Sequence, residues 1–174
     1  NVPMSQSEIM TGLPLLIGGA SCLAGGRISD YLVCRTGSRR WGRSVVGFVA
    51  MAMAGIVVLL ATQASGVWLA AALLCVVAGF QDLAVPIFWS LPADLNRKYA
   101  GTIGGAMNMA GGVGAFLGPY LVSELAPRYG WNIVFVMFAV VYAIAALCWL
   151  RIDAGEALEL APNGKEFVHQ TEAV

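Results

Sequence analysis

Two polar side chains lie deep inside apolar segments, where they cost energy to keep, and they are the residues best suited to chemistry. Asp82 lies within the apolar run 66–91, and Asn108 lies within the run 99–123. A carboxylate at that depth costs about 2.5–3.5 kcal/mol on insertion scales, so Asp82 must face protein or water, or hold a proton. Asp82 is therefore a candidate for proton coupling. The alternative is a structural carboxylate that bonds to a neighbouring helix.

The neighbours of Asp82 indicate a binding surface beside an interrupted helix. Gln81 precedes it, and Trp89 follows seven positions later, which is nearly two helical turns and predicts that Trp89 shares its face. Pro86 lies between them and lacks the backbone N–H that a helix interior needs, so it predicts a kink. We expect Gln81 and Trp89 to contact a ligand, with Trp89 as an apolar floor. Ordinary packing between helices is the alternative for Trp89.

Asn108 stands on a helix face that is otherwise built of small residues. The members of this face, at helical spacing, are Gly101, Gly104, Gly105, Asn108, Gly111, Gly112, Ala115, Gly118 and Pro119. Small residues let the backbone of another helix approach closely, and the amide of Asn108 can bind a hydroxyl or a carboxylate. We expect Asn108 to contact a ligand. The alternative is that Asn108 holds two helices together.

A short arginine-rich stretch after the first apolar run supplies the remaining candidates. Gly26 lies four residues ahead of Asp30, and four arginines follow between residues 35 and 43. Gly26 permits close approach at a helix end, and Asp30 can pair with an arginine or cap a neighbouring helix N-terminus. Such a pair would latch one conformation. The alternative is that the arginines only fix the orientation in a membrane. The predicted gating loop comprises Gly26, Asp30, Arg35, Arg39 and Arg40.

The composition indicates which elements must position these residues. The chain has 174 residues, 59% of them hydrophobic and 11% charged, and its mean hydropathy is +0.75. A soluble domain carries about 25% charged residues. The charges are too few to cover a globular surface, so lipid must surround most of the chain. The net charge is zero, which does not favour a nucleic-acid partner.

Five apolar segments are long enough, or nearly so, to cross the hydrocarbon core of a bilayer as helices. The predicted spans are about 12–32, 44–62, 66–91, 99–123 and 131–150. The segments lack the strict alternation of barrel strands, so the expected fold is all-α and transmembrane. Residues 1–11 are predicted to end an extracytoplasmic loop, 12–153 to form the membrane domain, and 154–174 to form a polar cytoplasmic tail.

The basic residues predict the orientation of these spans. Nine of the ten fall on one predicted side, namely Arg27, Arg35, Arg39, Arg40, Arg43, Arg97, Lys98, Arg151 and Lys165. Arg128 alone falls on the other side. Because cytoplasmic loops carry the excess of Lys and Arg, the arginine-rich loop and the C-terminus are predicted to be cytoplasmic.

The sequence offers no candidate for a catalytic centre, a metal site or a cofactor site. His169, the single histidine, lies in the polar tail, and the four cysteines lack C-x-x-C spacing. No nucleophile with a matching base can be assembled from these residue types. We therefore expect a membrane protein that is not an enzyme and that uses no metal and no cofactor.

Two stretches of sequence carry a resemblance to a known family. Residues 25–43, G-G-R-I-S-D-Y-L-V-C-R-T-G-S-R-R-W-G-R, resemble the loop in the C-terminal half of the major facilitator superfamily. Residues 92–121, P-A-D-L-N-R-K-Y-A-G-T-I-G-G-A-M-N-M-A-G-G-V-G-A-F-L-G-P-Y-L, with Y-G-W-N-I-V-F after them, are similar to its anion:cation symporter branch. The resemblance covers about residues 8–153 and would make the five spans helices eight to twelve of twelve.

The resemblance implies a fold of two six-helix bundles that alternate access to a central cavity. It also implies symport of a small organic anion, such as a sugar acid, with a proton or sodium across a bacterial-type inner membrane. Trp89 and Asn108 match positions that contribute to the substrate pocket in the family. Tyr31 stands where the family's loop usually has a basic residue, so the latch is expected to use Arg35, Arg39 and Arg40.

The resemblance also implies a partner for this chain, the missing N-terminal half of the same protein. In the family that half usually holds the arginine that binds the carboxylate and the principal proton-titrating acids. The chain does not begin with methionine, and we expect it to be part of a longer protein. The alternative reading is a multi-span membrane subunit that does not transport and has an anchoring or sensing role.

Overall fold

The computed structural model describes residues 4–153, 159–160 and 167–168, and these residues are mainly helical. The helices, in chain order, are α1 (Met4–Thr36), α2 (Arg39–Ala61), α3 (Val67–Leu83), α4 (Val85–Leu95), α5 (Ala100–Tyr129) and α6 (Trp131–Arg151). Two strands of two residues each, β1 (Glu159–Leu160) and β2 (Phe167–Val168), pair in antiparallel register. The predicted all-α architecture of the membrane part is confirmed.

Several helices are longer than the apolar segments that predicted them. Helix α1 begins at Met4, so it includes residues 4–11 of the predicted extracytoplasmic stretch, whose location remains a prediction. Helix α2 begins at Arg39, and the connection from α1 shrinks to Gly37 and Ser38. Hydropathy marks the stretch that suits hydrocarbon, whereas a helix continues for as long as its backbone hydrogen bonds do.

The sharp connection between α1 and α2 depends on two local devices. Gly37 has a φ of +68°, a conformation that favours glycine, and its N–H donates to the carbonyl oxygen of Val33 at 2.9 Å. The Ser38 hydroxyl accepts from the N–H of Trp41 at 3.5 Å and so caps the start of α2. The arginines predicted as a loop therefore lie on two helix ends.

The predicted interruption at Pro86 is confirmed. Helix α3 ends at Leu83 and α4 begins at Val85, and the N–H of Ala84 donates to the carbonyl oxygen of Gln81 at 3.1 Å. This bond spans three residues instead of four, so it tightens the last turn of α3. The helix is interrupted here because Pro86 has no backbone N–H to donate to the carbonyl oxygen four residues earlier. The predicted third span is thus one membrane-length segment in two helical pieces.

Helix α2 lies at the centre of the bundle and packs against α6, α3 and α1. One buried cluster joins α2 to α3 and α6, and its members are Ala54, Val57, Val58, Val77 and Ala139. A second cluster, Val46, Ile87 and Trp149, joins α2 to α4 and α6. These clusters fix the positions of α4 and α6, which carry most of the candidate site.

Glycines bring α1 into direct contact with the α3–α4 break. A Cβ atom added at Gly25 would lie 2.0 Å from the carbonyl oxygen of Leu83, and one added at Gly79 would lie 3.1 Å from a side-chain carbon of Ile17. No side chain larger than hydrogen fits at Gly25 without moving a backbone. In lipid, no hydrophobic driving force brings helices together. Helices associate there through close backbone contacts of this kind.

Three helical segments of the described chain combine the length and hydropathy of a membrane span: Arg39–Ala61, Val67–Leu95 and Trp131–Arg151. Helices α1 and α5 are longer but carry more glycine and polar residues, and α5 has no buried residue. The assignment of α1 and α5 as spans remains a prediction. Of the predicted tail 154–174, only β1 and β2 lie among the described residues, so its cytoplasmic location also remains a prediction.

Candidate functional site

The arginine-rich end of the bundle contains a network of charges centred on Arg43, which we call the Arg43 network. The Arg43 guanidinium donates to Asp30 at 3.0 Å, to Asp94 at 3.2 Å and to the hydroxyl of Ser29 at 3.1 Å. The Ser29 hydroxyl in turn donates to the carbonyl oxygen of Gly42 at 3.1 Å. One side chain of α2 therefore ties α1 to the end of α4.

The Arg43 network is partly withdrawn from water. The side chains of Arg43 and Asp94 are 15% and 17% exposed, whereas that of Asp30 is 68% exposed. A charge pair with low exposure is screened less than a surface pair, so the Arg43–Asp94 contact is the stronger half of the network. The exposed Asp30 contact is the half that can open at lower cost.

The predicted latch residues are arranged differently from the expectation. Asp30 forms its ion pair with Arg43, whereas Arg35 donates to the hydroxyl of Tyr31 at 3.1 Å and Arg40 pairs with Asp153 at 2.8 Å. Within the described chain Arg39 is exposed and makes no side-chain hydrogen bond or ion pair. Gly26 lies in ordinary contact with Pro86, since a Cβ there would be 3.7 Å from that ring.

In the sequence, Arg43 is recognisable only as one of the positive charges of the arginine-rich stretch. Its role depends on the rotation of α2, and that rotation is fixed where Gly42 meets α1: a Cβ at Gly42 would lie 2.8 Å from the backbone nitrogen of Val33. The sequence offers one local signal for the contact between α2 and α1. A helix-capping residue, Ser38, is followed by a glycine, Gly42, that directly precedes Arg43. This signal does not by itself identify the partners.

The end of α6 is fastened to the start of α2 beside the Arg43 network. The Ser44 hydroxyl donates to the carbonyl oxygen of Ile152 at 2.8 Å, and the buried ring of Trp149 lies against Gly47. Arg40 and Asp153 add an ion pair at the surface. A buried packing contact, a hydrogen bond and an ion pair therefore join the two helix ends.

A cavity of about 640 Å³ lies between α2, the α3–α4 segment, α5 and α6. Its lining residues are Met51, Gln81, Ala84, Val85, Phe88, Trp89, Leu91, Met107, Ala145, Cys148, Trp149 and Ile152. Its size falls within the ~300–1,000 Å³ range of sites for small molecules. The lining is almost wholly apolar.

Gln81 and Trp89 meet in this cavity, although they lie on opposite sides of the helix break. The side-chain carbonyl oxygen of Gln81 accepts a hydrogen bond from the hydroxyl of Tyr142 on α6. Trp89 is 54% exposed, and its ring meets that of Phe88 edge to face with centroids 5.5 Å apart. The contribution of α6 could not be predicted from the sequence, because no local pattern relates residues 61 positions apart.

Asp82 is absent from the cavity lining, to which Trp89 contributes. Its carboxylate is packed against α1, where a Cβ added at Gly18 would collide with a carboxylate oxygen. Among the described residues, Asp82 has no hydrogen-bond or ion-pair partner, and it does not line the cavity.

Asn108 is exposed on α5 and lies outside the cavity lining, to which the neighbouring Met107 contributes instead. Most glycines of the small-residue face are open as well: a Cβ at Gly105 or Gly112 would meet no atom within 4 Å. The structure thus brings Gln81 and Trp89 together and leaves Asp82 and Asn108 at separate places. Asp82 is half-buried at the α1 contact, and Asn108 lies on the open side of α5.

Comparison with known proteins relates this architecture to one family. Residues 3–119 match the family model described as Major Facilitator Superfamily. That range runs from the start of α1 to within α5, and it includes the Arg43 network and the α3–α4 break.

Two relatives of this chain are named as transporters. A probable sulfoacetate transporter of Cupriavidus necator is 33% identical over 151 residues, which are 86% of this chain and 35% of the relative. A probable chloroplastic anion transporter of Oryza sativa subsp. japonica is 27% identical over 161 residues, which are 89% of this chain and 29% of the relative. The chain thus spans about a third of the length of these relatives.

Proposed function

Because this chain belongs to the major facilitator superfamily, we propose that it is the C-terminal part of a secondary active transporter, comprising helices eight to twelve. The transporter carries a small organic anion with a proton or sodium by alternating access, across a bacterial-type inner membrane. It acts as a transporter rather than as an enzyme. The relatives are much longer than this chain, which is consistent with a further N-terminal half. In the proposal, that half supplies the arginine that binds the carboxylate of the substrate.

The names of the two relatives are the observation that carries the choice of substrate class. One is named for sulfoacetate and the other for anions, and both cover most of this chain. Sulfoacetate is the relative's named substrate, and for this chain the proposal is the broader class of small organic anions with a carboxylate.

The Arg43 network supports a gating role for the arginine-rich end. It holds α1, α2 and the end of α4 together through one guanidinium, so these helices cannot separate there without breaking charged hydrogen bonds. In the proposed cycle the network is closed while the opposite side of the transporter is open. The proposed gate comprises Gly26, Asp30, Arg35, Arg39 and Arg40, and Asp30 is the member that pairs with Arg43.

Gln81, Trp89 and Asn108 are the proposed substrate contacts of this half. The exposure of Asn108 supports this role, because an unpaired amide on the open side of α5 is free to bind a carboxylate or hydroxyl brought to it. Asp82 is the proposed coupling residue. Its support is a half-buried carboxylate that makes no hydrogen bond or ion pair with the described residues.

The test of the proposed function is uptake by the whole protein carrying Asn108→Ala. Loss of a hydrogen bond to a charged substrate should raise KM about ten- to a hundredfold. Uptake of radiolabelled organic anions into proteoliposomes measures this change. Met109→Ala is the matched control, because Met109 is the next residue of α5 and is 78% exposed.

The two possible failures of this test are distinct. If Asn108→Ala keeps the KM and turnover of the unmodified protein, Asn108 is not a substrate contact, although the transport proposal stands. If the unmodified whole protein takes up no organic anion under any ion gradient, the transport proposal fails, and the anchoring or sensing role becomes the better reading.

A further inference from the structure

Tyr142 on α6 holds one of the proposed substrate contacts from outside the cavity. Its hydroxyl donates a hydrogen bond to the side-chain carbonyl oxygen of Gln81, which lines the cavity. Tyr142 itself is not part of the lining, so it reaches the amide from outside the wall. The oxygen of the Gln81 amide is therefore engaged by the protein itself.

The nitrogen of the same amide is left for a ligand. It makes no hydrogen bond with the described residues, and Gln81 is exposed in this part of the chain. Oxygen and nitrogen branch from one planar carbon, so an oxygen held at Tyr142 directs the nitrogen elsewhere. An amide nitrogen carries two N–H donors and no acceptor. Gln81 can thus offer donors to the cavity while its acceptor is engaged.

Two features of the packing hold the tyrosine ring in place. Its side chain packs against the buried cluster that joins α2, α3 and α6. On α2, Gly55 lies next to it, because a Cβ atom added there would lie 3.2 Å from the Cβ of Tyr142. A ring that is fixed at its base and bonded at its hydroxyl has little freedom, so it can fix the amide in turn.

The backbone of Gln81 is held as well. Its main-chain carbonyl oxygen accepts from the N–H of Ala84 at the break between α3 and α4. The break and Tyr142 therefore hold Gln81 at two points, one on the main chain and one on the side chain. Such preorganisation lowers the entropy that the side chain loses when a ligand binds.

The two tryptophans of the wall are hydrogen-bond donors as well. Trp89 and Trp149 each carry one indole N–H and no acceptor. Among the described residues that line the cavity, Gln81 has the one side-chain oxygen, and this is the atom that Tyr142 engages. The side chains of the wall thus present donors to an anion and withhold the oxygen that would repel it.

We propose that Tyr142 is a positioning residue that sets the preference of this site for anions. By holding the Gln81 oxygen, it makes the amide a donor toward the substrate, so that a carboxylate is favoured over a group that itself donates, such as a primary amide. The proposal rests on the proposed function, in which Gln81 contacts the transported anion. A bond that only fastened α6 to α3 would have no effect on that preference.

Uptake by the whole protein carrying Tyr142→Phe tests the proposal, because this change removes only the hydroxyl. The probes are radiolabelled gluconate, a sugar acid, and gluconamide, its neutral amide, as a competitor. The Gln81 amide is then free to turn, so the KM for gluconate should rise about two- to tenfold with an unchanged turnover number. The ratio of the inhibition constant of gluconamide to that KM should fall by a similar factor. Tyr129→Phe is the matched control, since Tyr129 is 70% exposed at the end of α5.

A double substitution shows whether Tyr142 acts through Gln81. Gln81→Leu removes the amide and should raise the KM for gluconate at least as much as Tyr142→Phe does. In that background, Tyr142→Phe should have no further effect. Thermal unfolding establishes that each variant is folded. Should Tyr142→Phe unfold, Gln81→Asn withdraws the amide from the hydroxyl instead, and the same fall in the inhibition ratio is expected.

Three results would overturn the proposal. One is an unchanged KM and ratio in Tyr142→Phe while Gln81→Leu raises the KM, which would leave Gln81 as a contact that needs no positioning. Another is additive effects of the two substitutions, which would separate Tyr142 from Gln81. The third is a lower Tm and turnover number with an unchanged ratio, which would make the bond structural. Failure of the proposed function is distinct from all three: the unmodified whole protein would then neither bind nor take up gluconate, and this proposal would fail with it.

Discussion

Arg43 is the residue at which three helices of this protein meet. It donates to one partner on α1 that is largely exposed, Asp30, and to one on α4 that is largely buried, Asp94. Loss of the guanidinium would leave Asp94 as a poorly solvated carboxylate without its cation, which is costlier than the absence of both charges. The two aspartates are therefore not equivalent, even though each accepts one hydrogen bond.

Substitution of Arg43 by alanine should destabilise the protein by about 1–3 kcal/mol, since it removes hydrogen bonds to charged groups that are partly buried. A thermal-shift measurement in detergent should record a lower Tm. Arg39→Ala is the matched control, because Arg39 precedes it by one turn of α2 and is exposed. Equal effects of the two substitutions would contradict the central position of Arg43.

Asp82 should determine whether anion uptake depends on the proton gradient. With asparagine at position 82, we expect anion uptake to continue without its dependence on the proton gradient, because an amide cannot release and rebind the proton. Uptake at fixed membrane potential, measured with and without a pH gradient, checks this. Glu124→Gln is the control, since Glu124 forms an exposed pair with Arg128. Unchanged coupling in Asp82→Asn would reduce Asp82 to a structural role.

At the scale of elements, the break between α3 and α4 is the feature that organises the site. It allows Gln81 and Trp89 to face one cavity while Asp82 faces α1. The carbonyl oxygen of Leu83, at the break itself, is in close contact with Gly25. Helix α1 therefore supports the break directly through its backbone.

Gly25→Ala should separate α1 from the break, because the added methyl group would lie 2.0 Å from a backbone oxygen that cannot rotate away. Overpacking of this kind costs typically about 1–3 kcal/mol. We expect a lower Tm and a reduced turnover number for uptake. Gly19→Ala is the control on the same helix, where an added Cβ meets no atom within 4 Å. A Tm for Gly25→Ala as high as that of Gly19→Ala would argue against this packing.

At the scale of the whole molecule, the distribution of basic residues predicts which side of the membrane each end faces. Cys34 lies exposed near the end of α1, on the predicted cytoplasmic side. In a protein that keeps Cys34 as its single cysteine, a membrane-impermeant maleimide should label inverted vesicles and leave intact cells unlabelled. The readout is the fraction of protein modified.

A cysteine on the opposite side provides the control for orientation. Ser65 is exposed in the connection between α2 and α3, so Ser65→Cys in the cysteine-free protein should be labelled in intact cells and protected in inverted vesicles. The reverse pattern for both positions would invert the predicted topology. Labelling of both from one side would contradict the assignment of α2 as a span.

The sequence by itself determined the class of protein, the helices and the interruption at Pro86. These properties depend on composition and on neighbours along the chain: hydrocarbon selects apolar helices, and proline removes a backbone donor wherever it stands. Sequence also predicted Gln81, Trp89 and Asn108 as ligand contacts, and of these Gln81 and Trp89 line one cavity whereas Asn108 does not. It misjudged helix ends at α1 and α2, because helical hydrogen bonding continues past the apolar stretch.

Only the tertiary structure decided which arginine binds Asp30, where Asp82 points, and that Tyr142 bonds to Gln81. Each of these contacts depends on the rotation of one helix against another. That rotation is set by close glycine contacts, such as Gly42 against α1, between residues far apart in sequence. A local pattern specifies a helix and its faces, whereas the partner of each face is chosen by the packing of all the helices at once.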